Sequence, residues 1–142
     1  MKQPESPETV SRRGAVAVVV KQQRFLVVRR SRHVVAPRAF CFPGGGIEPG
    51  ETDRQALIRE MREELGVTVR AERHLWSSVT PWNVHLSWWQ AGLSDDQIPI
   101  PEPAEVESVH WYTLVEMREL PGLLKSNHQF LDAIERGEVR LQ

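Results

Sequence analysis

Three glutamates, Glu60, Glu63 and Glu64, fall within five consecutive positions. At helical spacing all three project from one side of a helix, beside its apolar stripe. Like charges three or four positions apart oppose an isolated helix, so a helix serving solubility alone would interleave lysines. Converging carboxylates are what a hard divalent cation requires. Mg2+ or Mn2+ takes oxygen ligands and keeps several waters, which a substrate phosphate can displace. Arg59 and Arg62 offset part of the repulsion, and an ordinary charged face is the competing reading of the glutamates alone. Upstream, the run Pro43-Gly44-Gly45-Gly46 lets backbone approach an ion closely. It lacks the Lys-Ser/Thr pair of a phosphate-binding P-loop, and a tight turn is its alternative reading.

The helix that carries these residues is delimited by its own sequence. Thr52 with Gln55 has the form of a capping box, and Gly66 stands where a left-handed C-terminal cap belongs. Leu57, Ile58, Met61 and Leu65 form the core-facing stripe. Before the helix, Gly14–Val20 and Arg24–Arg30 read as a hairpin turning at Lys21-Gln22-Gln23. A basic loop over Ser31–Ala39 follows, then a short strand at Phe40–Pro43 and an irregular stretch from Pro43 to Gly50. After it, Val67–Val79 and Val84–Leu93 read as strands separated by Thr80-Pro81-Trp82-Asn83. Ile98–Pro103 holds three prolines and reads as loop, and Val106–Tyr112 as the last strand. Helical pieces are expected at about Leu114–Leu120 and Asn127–Arg136, the second with a capping box at Ser126 and Gln129 and a stop at Gly137. The pattern predicts an α/β fold, a mixed sheet with helices on both sides.

Composition bounds the function. With 142 residues, 40% hydrophobic and 26% charged, the chain is long enough for one domain with a real core. Residues 1–11 read as a disordered tail and 12–142 as the domain. No apolar run approaches the length of a membrane span, and the N-terminal segment does not read as a secretory signal. The single cysteine, Cys41, excludes an intrachain disulfide and reads as a small buried residue in a reducing cytoplasm. The histidines show no paired spacing for zinc. The formal net charge of −1 hides a segregation. From Thr9 to Ile47 there is no acid, while Arg12, Arg13, Lys21, Arg24, Arg29, Arg30, Arg32 and Arg38 supply eight positive charges. Acids then gather in Glu48–Glu72 and Asp95–Glu119. An anion that grips the basic third must therefore tolerate an acidic helix, which a bound cation would make possible.

Starting at Gly45, the chain reads Gly45, five residues, Glu51, seven residues, then Arg59-Glu60-Met61-Arg62-Glu63-Glu64-Leu65-Gly66-Val67. This resembles the Nudix box, G-x5-E-x7-R-E-U-x-E-E-x-G-U with U aliphatic, and every specified position is met. With seven fixed residues, a chance match is on the order of 10⁻⁷. The strand order extends the resemblance over about Gly14 to Arg136.

The resemblance implies an α/β/α sandwich with a mixed central sheet. It also implies Mg2+-dependent hydrolysis, with Mn2+ as the alternative, of a phosphoanhydride in a small nucleotide. That nucleotide would be a nucleoside triphosphate or a nucleoside diphosphate linked to another group. Carried onto matching positions, Glu60, Glu63 and Glu64 would be metal ligands and Glu60 also a base for the attacking water. Arg59 would orient a glutamate, the Gly44 carbonyl would be a further ligand, and Glu51 would close the loop. Glu105, six residues before Trp111, would be a second base or ligand, with Glu102 and Glu107 as rivals.

For the substrate, Arg30 and Arg38 are the candidate phosphate contacts, with Arg29 and Arg32 as alternatives. Trp82, in a group with Trp76, Trp88 and Trp89, is the candidate for base stacking, worth about 1–3 kcal/mol. Strand alternation puts Trp88 and Trp89 on opposite faces, so at least one of them belongs to the core. The alternatives to this function are a nucleotide-sensing Nudix domain without turnover, an ADP-ribose pyrophosphatase suggested by Pro81, and an isomerase, for which Cys41 is out of register by about three residues. The reading admits a homodimer, but no membrane and no stably bound nucleic acid.

Overall fold

One apolar run serves two sheets. The chain was described by a computed structural model covering residues 12–142; the tail expected over 1–11 lies outside the described residues. Where the sequence reads as one strand, Gly14–Val20, the backbone divides at Val19 into β1 (Arg12–Val18) and β2 (Val20–Lys21). The chain changes sheets there, and the Val19 carbonyl accepts the Leu26 N–H at 3.0 Å. β2 turns into β3 (Arg24–Arg30) through Gln22 and Gln23, at φ 52° and 63°. Two positive-φ residues match the twist of the flanking strands, a position usually given to Asn or Gly.

The mixed sheet has the order β5-β1-β7-β6, from β5 (Gly44–Gly46), β1, β7 (Val84–Gly92) and β6 (Arg70–Val79). β1 runs parallel to β7; the other pairs are antiparallel. In the second sheet β3 pairs with β2, with β4 (Phe40–Cys41) and with β8 (Val106–Tyr112), all antiparallel. The glycine run expected to be irregular is thus a strand. It has no side chains to announce itself, and its partner β1 supplies the pairing, Ala15 opposite Gly45 and Val16 opposite Gly44. β6 begins at Arg70 rather than Val67, because Val67 and Val69 turn into the core beneath the first helix.

Helices cover both sides of these sheets, as expected for the α/β/α arrangement. Alternation along β1 and β3 sends Ala15, Ala17, Leu26 and Val28 to one side, where α1 (Asp53–Leu65) buries Ala56, Leu57, Met61 and Leu65. Val18, Phe25 and Val27 point the other way, toward α2 (Leu114–Arg118) and α3 (Lys125–Glu135). There Trp88 stacks on Phe130 at 4.4 Å and 4°, and Phe42 meets both rings edge-on. Trp88 is core, and Trp89 lies on the opposite face beneath the Arg54 guanidinium, 5.0 Å from its carbon.

The α1 caps form as expected. Thr52 and Gln55 make both bonds of the box, and Gly66 is left-handed at φ 66°. The box expected at Ser126 and Gln129 does not form. α3 starts earlier, with Leu124 as N-cap and no side-chain cap. Tertiary contacts decide this entry: the Leu124 N–H bonds to the Phe40 carbonyl, and buried Asn127 accepts the Phe42 N–H at 2.8 Å. Among the described residues no helix is long and apolar enough to cross a membrane.

Candidate active site

α1 lies against the glycine strand, and the fit is tight. A Cβ on Gly45 would collide with the Glu60 carboxyl, and one on Gly44, at φ 152°, would strike the Ala15 carbonyl. The glycines therefore serve close approach rather than a turn. The Glu60 side chain is 14% exposed. One helical turn on, Glu64 shares a hydrogen bond with Glu60 and accepts another from the Gly44 backbone. Burial pushes the Glu64 carboxyl up to about 8, reinforced by the charge and hydrogen bond of Glu60 and by the charge of Glu105. Burial also raises Glu60, against the pull of Arg59. Two desolvated carboxyls this close do not both ionise readily in neutral solution.

Arg59 ties the surroundings together. Its Nε donates to Glu51 Oε2 at 2.7 Å and Nη2 to Glu51 Oε1 at 2.9 Å, a bidentate pair. Nη2 also donates to the Gly46 carbonyl at 2.9 Å, and Nη1 reaches Glu60 at 3.0 Å and Glu63 at 3.2 Å. The hydrogen bonds from Arg59, then the Glu48 N–H, hold the Glu51 carboxyl down at about 2. The carboxylates in turn raise Arg59 above its ordinary value, against its burial. One guanidinium thus joins the start of the loop, its end and the helix. The Gly46 carbonyl had not stood out in the sequence; the only signal for it is the third glycine of the run.

The predicted residues separate on this geometry. Gly44, Arg59, Glu60 and Glu64 come together, while Glu63 turns toward Arg59 and its side chain is 58% exposed. Among the described residues no three acidic, His or Cys side chains converge at ligating geometry. Of the late-loop rivals, Glu105 is the one whose charge acts on Glu64. Its loop is pinned to α1 by the Glu102 N–H on the Glu64 carbonyl at 2.8 Å, and to the basic loop by the Ser31 N–H on the Glu105 carbonyl at 3.0 Å. Glu107 faces away, 3.3 Å from Arg38 and 3.9 Å from Arg29, so Arg38 is already paired.

Arg30 is half-buried, with Nε on the Val35 carbonyl at 2.7 Å and its guanidinium against the Cys41 thiol. Burial pushes that thiol up to about 11, so Cys41 is no nucleophile at neutral pH. Trp82 lies in the β6–β7 turn, 76% exposed. That turn is on the edge of the mixed sheet opposite β5, and the structure does not bring it to the glutamates.

Similarity to known proteins identifies the family and the fold. The NAD-capped RNA hydrolase NudC of Deinococcus radiodurans is 34% identical over 110 residues, 76% of this chain and 38% of that protein. The CTP pyrophosphohydrolase of Escherichia coli is 33% identical over 76 residues, 51% of this chain and 56% of that one. The fold is that of the MutT protein from Methanosarcina mazei, with TM-score 0.76 at 17% identity over 91% of this chain and 96% of the other. The match spans well under half the length of the NAD-capped RNA hydrolase. A family model described as the NUDIX domain matches residues 10–134, and this chain belongs to that family.

Proposed function

We propose that this chain hydrolyses a phosphoanhydride bond of a small nucleotide, a nucleoside triphosphate or a nucleoside diphosphate linked to a second group, with a divalent cation, Mg2+ or Mn2+. The observation that carries the reading is the Glu60–Glu64 pair, two desolvated carboxyls pressed against a glycine strand and short of positive charge on the Glu64 side. An all-oxygen donor set with surplus negative charge fits a hard cation. Glu60, Glu64 and the Gly44 carbonyl would hold it, with Glu63 joining them once it leaves Arg59. When bound, such an ion supplies neutralisation of phosphate charge and electrostatic activation of water.

The rest of the work falls to side chains. Arg59 fixes the rotamer of Glu60 through the 3.0 Å bond and locks the loop by its grip on Glu51 and Gly46. Glu60 takes the proton of the attacking water, and Glu105, on the pinned loop, is the second acceptor. Arg30 offers its guanidinium to a substrate phosphate from the end of β3, and Arg38 is an outer contact once it leaves Glu107. Trp82 would reach only a long substrate. The relatives named for CTP and for NAD-capped RNA support a nucleotide substrate. A nucleotide-cleaving protein whose one cysteine is a buried free thiol suits the cytoplasm.

The test is a phosphate-release screen with Mg2+ over nucleoside triphosphates, ADP-ribose, NADH, dinucleoside polyphosphates and coenzyme A, beside Glu63→Gln and Glu64→Gln. Turnover of at least one substrate by the wild type, lost in Glu64→Gln, is the expected result. Equally slow hydrolysis by all three proteins overturns the reading, and tight nucleotide binding without turnover would assign a sensing role instead.

A further inference from the structure

The two edges of the mixed sheet differ. β5 is three glycines long and lies against α1, whereas β6 runs ten residues and, among the described residues, pairs only with β7. A long open edge presents N–H and C=O groups to any strand that meets it, and proteins blunt such edges with charges and bulges. β6 is blunted over its first half only. Arg70, Glu72 and Arg73 place charges there, and the register shifts between Ala71 and Arg73 and between His74 and Trp76. From Trp76 to Val79 the pairing with β7 is regular. From Leu75 to Val84 there is no Asp, Glu, Lys or Arg.

The same stretch is flanked by a cleft on each face. On the α1 side Ser77, Val79, His74, His85 and Arg13 line about 300 Å³. On the α3 side Trp76, Ser78, Gln129, Asp132 and Arg136 line about 340 Å³. Where the edge ends, Val79 is 55% exposed and Trp82 76%.

We infer that the edge Trp76–Val79 is a docking surface for a second copy of this chain, which adds to it as an antiparallel strand and joins the two mixed sheets into one. Successive side chains of an added strand fall on opposite faces, and the two clefts receive them while the ladder supplies backbone hydrogen bonds. Charge selects the occupant. A two-fold pairing sets a strand against itself, so a charge at the axis would face its own like charge, and a charge one position away would lie diagonal to its copy. The window is free of charge and its flank is not. With the axis beside Ser77 or Ser78, a serine meets its own copy and Trp76 stands opposite Ser78 or Thr80 of the other chain. Arg70, Glu72 and Arg73 then lie away from their counterparts.

The test uses the full chain in sedimentation velocity over a series from low to high micromolar. The wild type is expected to reach a dimer. Ser77 is exposed, its hydroxyl bonded at 2.9 Å to the ring of the exposed His74, whereas Ser78 accepts a hydrogen bond from the core residue Trp88 through Nε1 at 3.0 Å, so the substitutions belong at Ser77. Ser77→Lys and Ser77→Glu should each weaken self-association by about tenfold or more, with unchanged circular dichroism and thermal midpoint. Mixing the two variants should restore the dimer, which loss of fold in either would not allow. A dimer insensitive to both substitutions overturns the proposal. A wild type that stays monomeric also overturns it, and hydrogen exchange then shows whether the edge is covered. Protection of the outward-facing amides of Ser77–Val79 in that monomer would mean that another segment covers the edge, and fast exchange would mean that nothing does.

Discussion

The side of the sheets under α3 and the side under α1 are both buried, yet they are built differently. Under α3 the contacts are aromatic: Trp88 on Phe130, with Phe42 and Trp76 packed around them. Each such pair adds about 0.5–1.5 kcal/mol beyond the area it buries. Under α1 the contacts are aliphatic, Leu26, Leu57, Met61 and Leu65 with the small Ala15, Ala17, Ala56 and Ala91 between them, and at the margin the strand is pure glycine. Small residues let the helix come close, and closeness desolvates Glu60 and Glu64, which opposes folding in the absence of a cation. The aromatic side carries no buried carboxyl, and its stability helps offset the two that the α1 side holds where water would normally solvate them.

If this division is right, substitutions on the two sides should fail in opposite ways. Glu64→Gln removes a carboxylate from the site and should lower Mg2+-dependent phosphate release by roughly 10³–10⁴-fold. Its thermal midpoint without cation should equal or exceed that of the wild type, because a repelled charge has gone. Phe130→Ala should do the reverse, costing about 3–5 kcal/mol in denaturant unfolding while kcat stays within about twofold where the protein is folded. A Phe130→Ala enzyme that is fully folded but inactive would break the comparison.

Arg59 sharpens it. A lysine keeps the charge but cannot hold Glu51 by two bonds and also reach the Gly46 carbonyl and Glu60. Arg59→Lys should therefore lower kcat by roughly 10–10²-fold with little change in KM, the range expected when the support behind a ligand is lost. Arg59→Ala should regain part of its activity on addition of guanidinium at non-denaturing concentration. No rescue, together with a large fall in thermal midpoint, would make Arg59 a structural strut.

Much of this was legible in the sequence, and the rest was hidden for identifiable reasons. β3 and β8 have the bounds that their patterns predict, and Thr52, Gln55 and Gly66 delimit α1, because each of these signals is local. The spacing from Gly45 to Gly66 identified the family, and Glu60 and Glu64 do face the glycines. The β5 strand was invisible because glycine has no side chain to alternate. The break at Val19 was hidden within a continuous β-branched run. Ser126 and Gln129 had the right local form, yet Leu124 on Phe40 and Asn127 on Phe42 override it from another part of the chain. A helical wheel groups Glu63 with its neighbours but cannot show that Arg59 draws it aside.

Cys41 gauges how dry the α1 side is. It follows Phe40, which belongs to the aromatic side, and itself packs under α1. Arg30 pulls its thiol toward ionisation, yet burial outweighs that pull and raises it from 9.0 to about 11. At pH 8 roughly one thiol in a thousand is then ionised, so native protein should resist iodoacetamide that alkylates the denatured chain readily. For stability the sign follows from the neutral form being favoured in the fold. The contribution is fully present below the unfolded value near 9 and is lost as pH rises toward 11, on the order of 2–3 kcal/mol. Measuring unfolding from pH 8 to 11 for wild type and Cys41→Ala isolates it, since the other groups titrate in both. A wild type that loses no more stability than the variant, with fast alkylation at pH 8, would mean that water reaches the α1 side. The desolvation assigned to Glu60 and Glu64, which lie at the margin of that side, would then have to be given up as well.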